Sequence, residues 1–140
     1  MNLPKSWSTL ILRLGIGIVF LFFGVDKFIH PEVWINWVSP RLLYYFPFPQ
    51  EVFIYLDGGL ESVIGVMLIL GFYTRIFALI ASLLIVGILA TVGVTDVTVR
   101  DIAILAGALS LVLTVSDKLS VDNKFVVKAN KKRPDYIELE

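Results

Sequence analysis

Long apolar stretches alternate with short polar segments along this chain, and four of the stretches have the length of membrane-crossing helices. A helix rises 1.5 Å per residue, so about 20 apolar residues cross a hydrocarbon core of about 30 Å. The pattern predicts spans at about residues 7–28, 52–73, 76–95 and 99–116. The third contains no formal charge, whereas the fourth begins with Arg100 and Asp101. We therefore predict an all-α protein, an integral membrane four-helix transmembrane bundle.

The segment between the first and second spans is rich in aromatic and proline residues. Its prolines are Pro31, Pro40, Pro47 and Pro49, and its aromatic residues are Trp34, Trp37, Tyr44, Tyr45, Phe46 and Phe48. Amphipathic aromatic rings prefer the headgroup level of a bilayer. The pattern predicts an aromatic-rich interfacial loop that carries a short helix near Glu32–Val38 and caps one end of the bundle.

Composition and the distribution of basic residues complete the membrane prediction. Hydrophobic residues make up 57% of the 140 residues, compared with about 45–50% in soluble domains. Basic residues follow the positive-inside rule if both termini are cytoplasmic. Eight then lie inside (Lys5, Arg75, Lys118, Lys124, Lys128, Lys131, Lys132 and Arg133) and three outside (Lys27, Arg41 and Arg100). We expect a multi-pass plasma-membrane domain over residues 1–116, with a basic cytoplasmic tail over residues 117–140.

The residue types that are absent exclude several kinds of redox and metal chemistry. The chain has no cysteine, and His30 is its only histidine. Disulfides, iron–sulfur clusters, thiolate zinc sites and bis-histidine haem ligation by this chain alone are therefore excluded. The sequence also contains no phosphate-binding glycine loop, nucleophile–base triad or HExxH motif. We expect no catalytic residues, no metal site, no intrinsic cofactor and no nucleic-acid partner.

Charged residues inside the first two spans lie on helical stripes of opposite sign. Arg13, Gly17, Phe20, Gly24 and Lys27 are spaced 4-3-4-3, as one face of a helix requires. Asp57 and Glu61 begin a similar stripe on the second span. A charge in the bilayer core costs about 2.5–3.5 kcal/mol on insertion scales, so it normally faces the interior and a partner. We expect Lys27 to pair with Asp57, and Arg13 to reach along the bundle axis toward Glu61.

The charged residues of three spans are expected to form a cluster in the outer half of the bundle, beneath the aromatic loop. Its predicted members are Asp26, Lys27, Asp57, Glu61, Arg100 and Asp101. Arg13 lies about 7 Å from the inner end of its span and is a further candidate through its reach toward Glu61. Two interpretations remain open. The cluster could fix helix register through salt bridges, or it could form a ligand or proton site with Glu61 as the leading candidate.

Glycines on the same stripes predict close packing between helices. Gly17 and Gly24 lie on the first span, and Gly65 and Gly71 lie on or at the end of the second. Small residues let helix backbones approach each other in membranes, where they are the ordinary packing positions. We favour this role over any contribution of these glycines to a cofactor site.

Several short motifs carry a family resemblance over residues 8–123. They are Arg13-x3-Gly17-x2-Phe20-x3-Gly24-x2-Lys27, Glu61-x3-Gly65, Leu70-Gly71-x2-Thr74-Arg75, Arg100-Asp101 and Leu119-Ser120-Val121-Asp122. Together they resemble the DoxX-like family of small four-helix membrane proteins. The resemblance implies a four-helix membrane bundle. It also implies a link to membrane redox complexes, because the family includes subunits or relatives of thiosulfate:quinone oxidoreductase.

The leading functional hypothesis combines the charged cluster with this resemblance. The chain is expected to be a non-catalytic subunit or accessory of a membrane oxidoreductase system, with an outer-half pocket for quinone or another small amphiphile. One alternative is a small proton-coupled transporter that uses Glu61, and another is a structural or chaperone-like membrane scaffold. Expected partners are the lipid bilayer, redox-complex subunits and further copies of the chain in a homo-oligomer.

Overall fold

Helices form most of the chain that the structure describes. The structure is a computed structural model, and it describes residues 5–38, 40, 44, 47–93 and 95–114. The helices are α1 (Lys5–Ile29), α2 (Pro31–Ile35), α3 (Gln50–Leu70), α4 (Thr74–Val92) and α5 (Asp96–Leu113). These residues contain no strand, which confirms the all-α class. The basic tail over residues 117–140 lies outside them, as do residues 39, 41–43, 45 and 46 of the predicted aromatic loop.

Three of the helices are long and apolar enough to cross a membrane. These candidate spans are Trp7–Ile29, Gln50–Leu70 and Thr74–Val92, which correspond to the first three predicted spans. α5 has 18 residues but carries Asp96, Arg100 and Asp101 in its first two turns, and it is not among the candidate spans. The fourth span therefore stays a prediction.

The observed helix boundaries differ from those that hydropathy predicts, because the turns that follow α3 and α4 contain apolar or uncharged residues. The predicted span 52–73 ends at Leu70, since Gly71 (φ 70°) and Tyr73 (φ 48°) take left-handed backbone conformations. The Gly71 N–H donates back to the carbonyls of Met67 and Leu68, a typical helix C-cap. Gly71, predicted as a packing glycine, thus also ends α3. The predicted span 76–95 corresponds to α4, which begins two residues earlier, at Thr74, and ends three residues earlier, at Val92.

The start of α5 is set by hydrogen bonds that hydropathy does not register. Thr95 accepts a hydrogen bond from the Thr98 N–H at 3.2 Å, and the Thr95 N–H donates to Thr98 Oγ1 at 2.7 Å. This capping box begins the helix at Asp96, three residues before the predicted start. The short predicted helix at Glu32–Val38 is likewise Pro31–Ile35 in the structure, because Pro31 favours the first helical position.

The four long helices pack in a ring in which α1 and α4 each contact both α3 and α5. Each contributes to one core, which contains Ile16, Phe20, Ile64, Leu68, Ala78, Ala81, Ile85, Ala108 and Leu111. α2 packs against α1 and α3, and we call this end of the molecule the α2 end. Large apolar side chains such as Ile18, Phe22 and Leu83 are exposed on the outside of the ring, as lipid contact requires.

The tightest packing joins α1 to α3 through facing glycines. A Cβ atom added to Gly65 would lie 2.5 Å from the Leu21 nitrogen and 2.8 Å from the Gly17 oxygen. One added to Gly24 would lie 2.8 Å from the Gly58 oxygen and 2.6 Å from the Ser62 nitrogen. Both contacts involve backbone atoms, so only glycine allows this approach. Gly17 therefore faces Gly65, and Gly24 faces Gly58, which sets the antiparallel register of the two helices.

Candidate functional site

Lys27 lies between two carboxylates at the α2 end. Its Nζ atom is 2.6 Å from Asp57 Oδ2 and 2.6 Å from Glu61 Oε2. Asp57 and Glu61 are one helical turn apart on α3, so both side chains project toward the same face of α1. The expected Lys27–Asp57 pair is present, and Glu61 joins it. One buried ammonium group thus serves two acidic side chains.

The expected approach of Arg13 to Glu61 is wrong. Lys27 occupies that place, and the Arg13 guanidinium donates to the carbonyls of Leu68 at 2.7 Å and Ile69 at 2.8 Å. Those carbonyls lie seven and eight residues beyond Glu61 along α3, which corresponds to about two helical turns. Arg13 is therefore outside the charged cluster at the α2 end.

Arg13 stabilises the C-terminal end of α3. The last carbonyls of a helix lack partners within it and carry the negative end of the helix dipole. The guanidinium supplies donors and a positive charge there, and the residue is only 2% exposed. The spacing of the glycines is the sequence signal for this contact. Gly17 faces Gly65 on antiparallel helices, Arg13 lies four residues before Gly17, and Ile69 lies four residues after Gly65. Arg13 and Ile69 are therefore opposite each other.

Replacing Arg13 by methionine is expected to lower the free energy of unfolding by about 2 kcal/mol. The change keeps most of the side-chain volume but removes charged donors from buried carbonyls. Thermal unfolding of the purified protein in detergent measures the effect. Arg75→Met is the matched control, because the exposed Arg75 donates to the Thr114 carbonyl at 3.1 Å, and we expect it to cost less than about 1 kcal/mol. Equal losses in the two variants would contradict the assignment.

Arg100 and Asp101 contribute a second charged pair from α5. The guanidinium Nε and Nη2 atoms of Arg100 donate to Asp101 Oδ1 at 3.1 and 2.9 Å. Asp101 is buried, whereas the Arg100 side chain is 48% exposed. The guanidinium carbon lies 4.9 Å from the ring centre of Phe23 on α1, which is cation–π distance. This pair therefore connects α5 to α1.

Trp34 on α2 connects the end of α1 to the buried lysine. Its indole N–H donates to Asp26 Oδ2 at 2.8 Å, and its ring centre lies 4.9 Å from Lys27 Nζ. His30 Nδ1 is 2.9 Å from the other oxygen of the same Asp26 carboxylate. The aromatic pattern of the sequence predicts only an interfacial role for Trp34 and Trp37. In the structure both side chains line cavities beside Lys27.

Two adjoining cavities lie at the α2 end. The Glu61 cavity has a volume of about 200 Å³ and is lined by Phe20, Phe23, Glu61, Thr98, Arg100 and Asp101, among others. The Asp57 cavity has a volume of about 300 Å³ and is lined by Phe53, Ile54, Asp57 and Thr91, among others. Lys27, Trp34, Trp37, Leu84, Ile88 and Val92 line both cavities. Lys27 therefore stands at the shared wall, with one carboxylate on each side.

The cluster at the α2 end thus contains all the predicted site residues except Arg13, and Asp26 lies beside it through its hydrogen bond from Trp34. Lys27, Asp57 and Glu61 form one group, and Arg100 with Asp101 forms another on the far side of the Glu61 cavity. In the part of the chain that the structure describes, no group of three or more His, Asp or Glu residues is arranged to hold a metal ion. The arrangement can present charges and hydrogen-bonding groups to a small molecule within apolar walls.

Comparison with known protein families identifies the family of this chain. A family model described as DoxX matches residues 8–94. The matched part contains Arg13, Lys27, Asp57 and Glu61, whereas Arg100 and Asp101 lie beyond it. Comparison with curated proteins and with solved structures gave no match.

Proposed function

Since the chain belongs to the DoxX family of membrane proteins, we propose that it binds a small amphiphile at its α2 end and serves a membrane oxidoreductase system as a non-catalytic subunit. The Glu61 cavity is the observation that carries this proposal. Its walls are mostly apolar and aromatic, and four charged residues converge on it (Lys27, Glu61, Arg100 and Asp101). A mostly apolar cavity with a few polar groups is the usual form of a small-molecule site.

The proposal includes α5 as a fourth span in a four-helix transmembrane bundle of the plasma membrane. The 18 residues of α5 correspond to about 27 Å of helix. Its charges do not all face lipid, because Asp101 is buried against the bundle interior. With four spans both termini are on one side, and the excess of basic residues there favours the cytoplasm. The α2 end then faces the outer side.

The accessory role follows from the chemistry that the chain lacks. A protein with no cysteine and a single histidine has few groups that could hold a redox centre. Electrons in such a system would be carried by a bound molecule or by a partner subunit. A prenylated benzoquinone is one amphiphile that dissolves in the bilayer, carries electrons and has a single-ring head group. Association with redox-complex subunits and with further copies of the chain stays a prediction.

Salt bridges that only fix helix register do not require adjoining space. Lys27 and Glu61 are buried, yet cavities of about 200 and 300 Å³, each partly open to the surroundings, lie beside them. Concave, mostly apolar sites of this kind support a bound molecule.

Filling the Glu61 cavity is expected to remove the bound amphiphile. Val97 lines this cavity, so Val97→Phe places a ring inside it. The full chain is purified into lipid nanodiscs, and bound small molecules are extracted and identified by mass spectrometry. We expect wild type to retain one amphiphile enriched over bulk lipid, and Val97→Phe to retain about tenfold less, a change of 1.4 kcal/mol.

Val99→Phe is the matched control for this experiment. Val99 lies on the same helix but is 58% exposed, so a ring there leaves the cavity open. The control is expected to retain as much amphiphile as wild type. Wild-type protein with no enriched amphiphile, or equal retention in Val97→Phe and Val99→Phe, would argue against a ligand in this cavity. Absence of any redox-complex subunit among partners cross-linked in native membranes would argue against the accessory role.

A further inference from the structure

Glu61 presents a hydrogen-bond acceptor that the described part of the chain does not satisfy. The residue is 5% exposed and lines the Glu61 cavity. Its Oε2 atom forms an ion-pair contact with Lys27 Nζ at 2.6 Å but receives no hydrogen bond from any described residue. Lys27 instead directs a hydrogen bond to Asp57 at 2.6 Å. A buried carboxylate oxygen without a donor is unfavourable.

The other ionised groups around this cavity already have charged hydrogen-bond partners. Lys27 is bonded to Asp57, and Arg100 donates twice to Asp101. Lys27 also faces Glu61, so one ammonium group lies between two carboxylates and this group of three carries one net negative charge. Of the two carboxylates, Glu61 is the one to which Lys27 gives no hydrogen bond. A molecule that enters the cavity therefore gains most by donating a hydrogen bond to Glu61.

The aromatic rings of the cavity indicate that this donor is neutral. Lys27 already lies over the ring of Trp34, and Arg100 lies over the ring of Phe23. A cationic ligand would meet two resident cations at the ring faces that would otherwise attract it. A neutral hydroxyl group avoids this repulsion and still donates a hydrogen bond to a carboxylate.

We propose that the Glu61 cavity selects amphiphiles whose head group is a hydroxylated aromatic ring, with the hydroxyl donating to Glu61 Oε2. This inference rests on the proposed function, and it names the ligand class. A volume of about 200 Å³ is below the about 300–1,000 Å³ of sites for drug-sized ligands, and it suits a single ring. Phe20 and Phe23 supply aromatic contacts to that ring.

Glu61 would distinguish the two redox states of a quinone. A quinol carries hydroxyl donors, whereas the carbonyl oxygens of the oxidised quinone only accept hydrogen bonds. The quinol is therefore the form that satisfies Glu61. Bound in this way, the reduced form is held near the wall that Lys27, Trp34 and Trp37 share with the Asp57 cavity.

Matched ligands that differ only in the hydroxyl hydrogen test this selection. Binding of para-hexylphenol and of its methyl ether, para-hexylanisole, is measured by calorimetry on the full chain in nanodiscs. We expect the phenol to bind wild type at least about tenfold more tightly than the ether, as a hydrogen bond to a charged group allows. para-Hexylbenzylammonium is expected to bind more weakly than the phenol.

Glu61→Gln should reduce the phenol-to-ether ratio to below about threefold, because an amide can donate as well as accept. Glu51→Gln is the matched control: Glu51 is exposed on the same helix, and we expect the wild-type ratio there. The wild-type comparison decides the question even if Glu61→Gln does not fold. Equal binding of phenol and ether, or tighter binding of the ammonium compound, would overturn the hydroxyl inference while leaving the cavity as a site. Binding of none of the three, with no amphiphile co-purifying, would refute the proposed function itself.

Discussion

Replacing Lys27 by methionine is expected to lower the free energy of unfolding by about 4 kcal/mol, the largest effect of any charge removal in this protein. Methionine has a similar length, so packing changes little. The substitution leaves Asp57 and Glu61 facing each other without the ammonium group that lies 2.6 Å from both. Breaking a buried ion pair by removing one partner costs about 3–5 kcal/mol. Thermal and denaturant unfolding in detergent measure the loss.

A combination of substitutions isolates the electrostatic part of this effect. The triple variant Lys27→Met, Asp57→Asn, Glu61→Gln carries no net buried charge, and we expect it to recover more than half of the lost stability. Arg75→Met is a matched control, since the exposed Arg75 donates to the Thr114 carbonyl and removing it is expected to cost less than about 1 kcal/mol. Lys27→Met protein as stable as wild type would show that the two carboxylates do not depend on Lys27.

Gly65→Ala is expected to destabilise the protein by about 3 kcal/mol, although it adds a single methyl group. The new Cβ would lie 2.5 Å from the Leu21 nitrogen and 2.8 Å from the Gly17 oxygen. Backbone atoms cannot move away as flexible side chains can, so α1 and α3 would have to separate. Overpacking of a core costs about 1–3 kcal/mol, and this site lies at the upper end because both neighbours are backbone. Unfolding in detergent provides the measurement.

Gly15→Ala and Gly87→Ala are matched controls for this prediction. Neither glycine has an atom within 4 Å of an added Cβ. Both lie inside helices, where alanine is intrinsically favoured over glycine by roughly 0.5–1 kcal/mol. We expect both variants to be at least as stable as wild type. A Gly65→Ala variant that behaved like these two would mean that α1 and α3 are not packed through Gly17 and Gly65.

Helical spacing is sufficient to predict which residues of α1 and α3 lie in their shared interface. It is not sufficient to predict which atoms each of them contacts there. The pattern pairs Lys27 with Asp57 because each lies near the outer end of its span, and the structure contains this pair. Opposite charge and the length of the arginine side chain predict that Arg13 reaches Glu61, although the two residues lie at different depths. In the structure the register set by the facing glycines directs Arg13 to the carbonyls of Leu68 and Ile69. Backbone carbonyls carry no signal in a charge pattern, so that contact was missed.

The cavities and their aromatic walls could not be predicted from the sequence. Trp34 and Trp37 are far from Glu61 along the chain, and an amphipathic indole side chain suits a bilayer interface as well as a cavity wall. Their position depends on α2 folding back over the end of α1, where Trp34 donates to Asp26. The empty volume itself depends on how α4 and α5 pack opposite α1, which no local pattern encodes.

The sequence by itself determined that this is an all-α membrane protein, which helix faces are polar or glycine-rich, and that it lacks thiolate chemistry. These properties follow from composition and from the 3.6-residue helical period, which are local. Only the tertiary structure decided that one lysine serves two carboxylates, that Arg13 stabilises a helix end, and that Glu61 retains an unsatisfied oxygen beside a cavity. These features depend on the register and depth at which helices meet, and glycine contacts between backbones set that register.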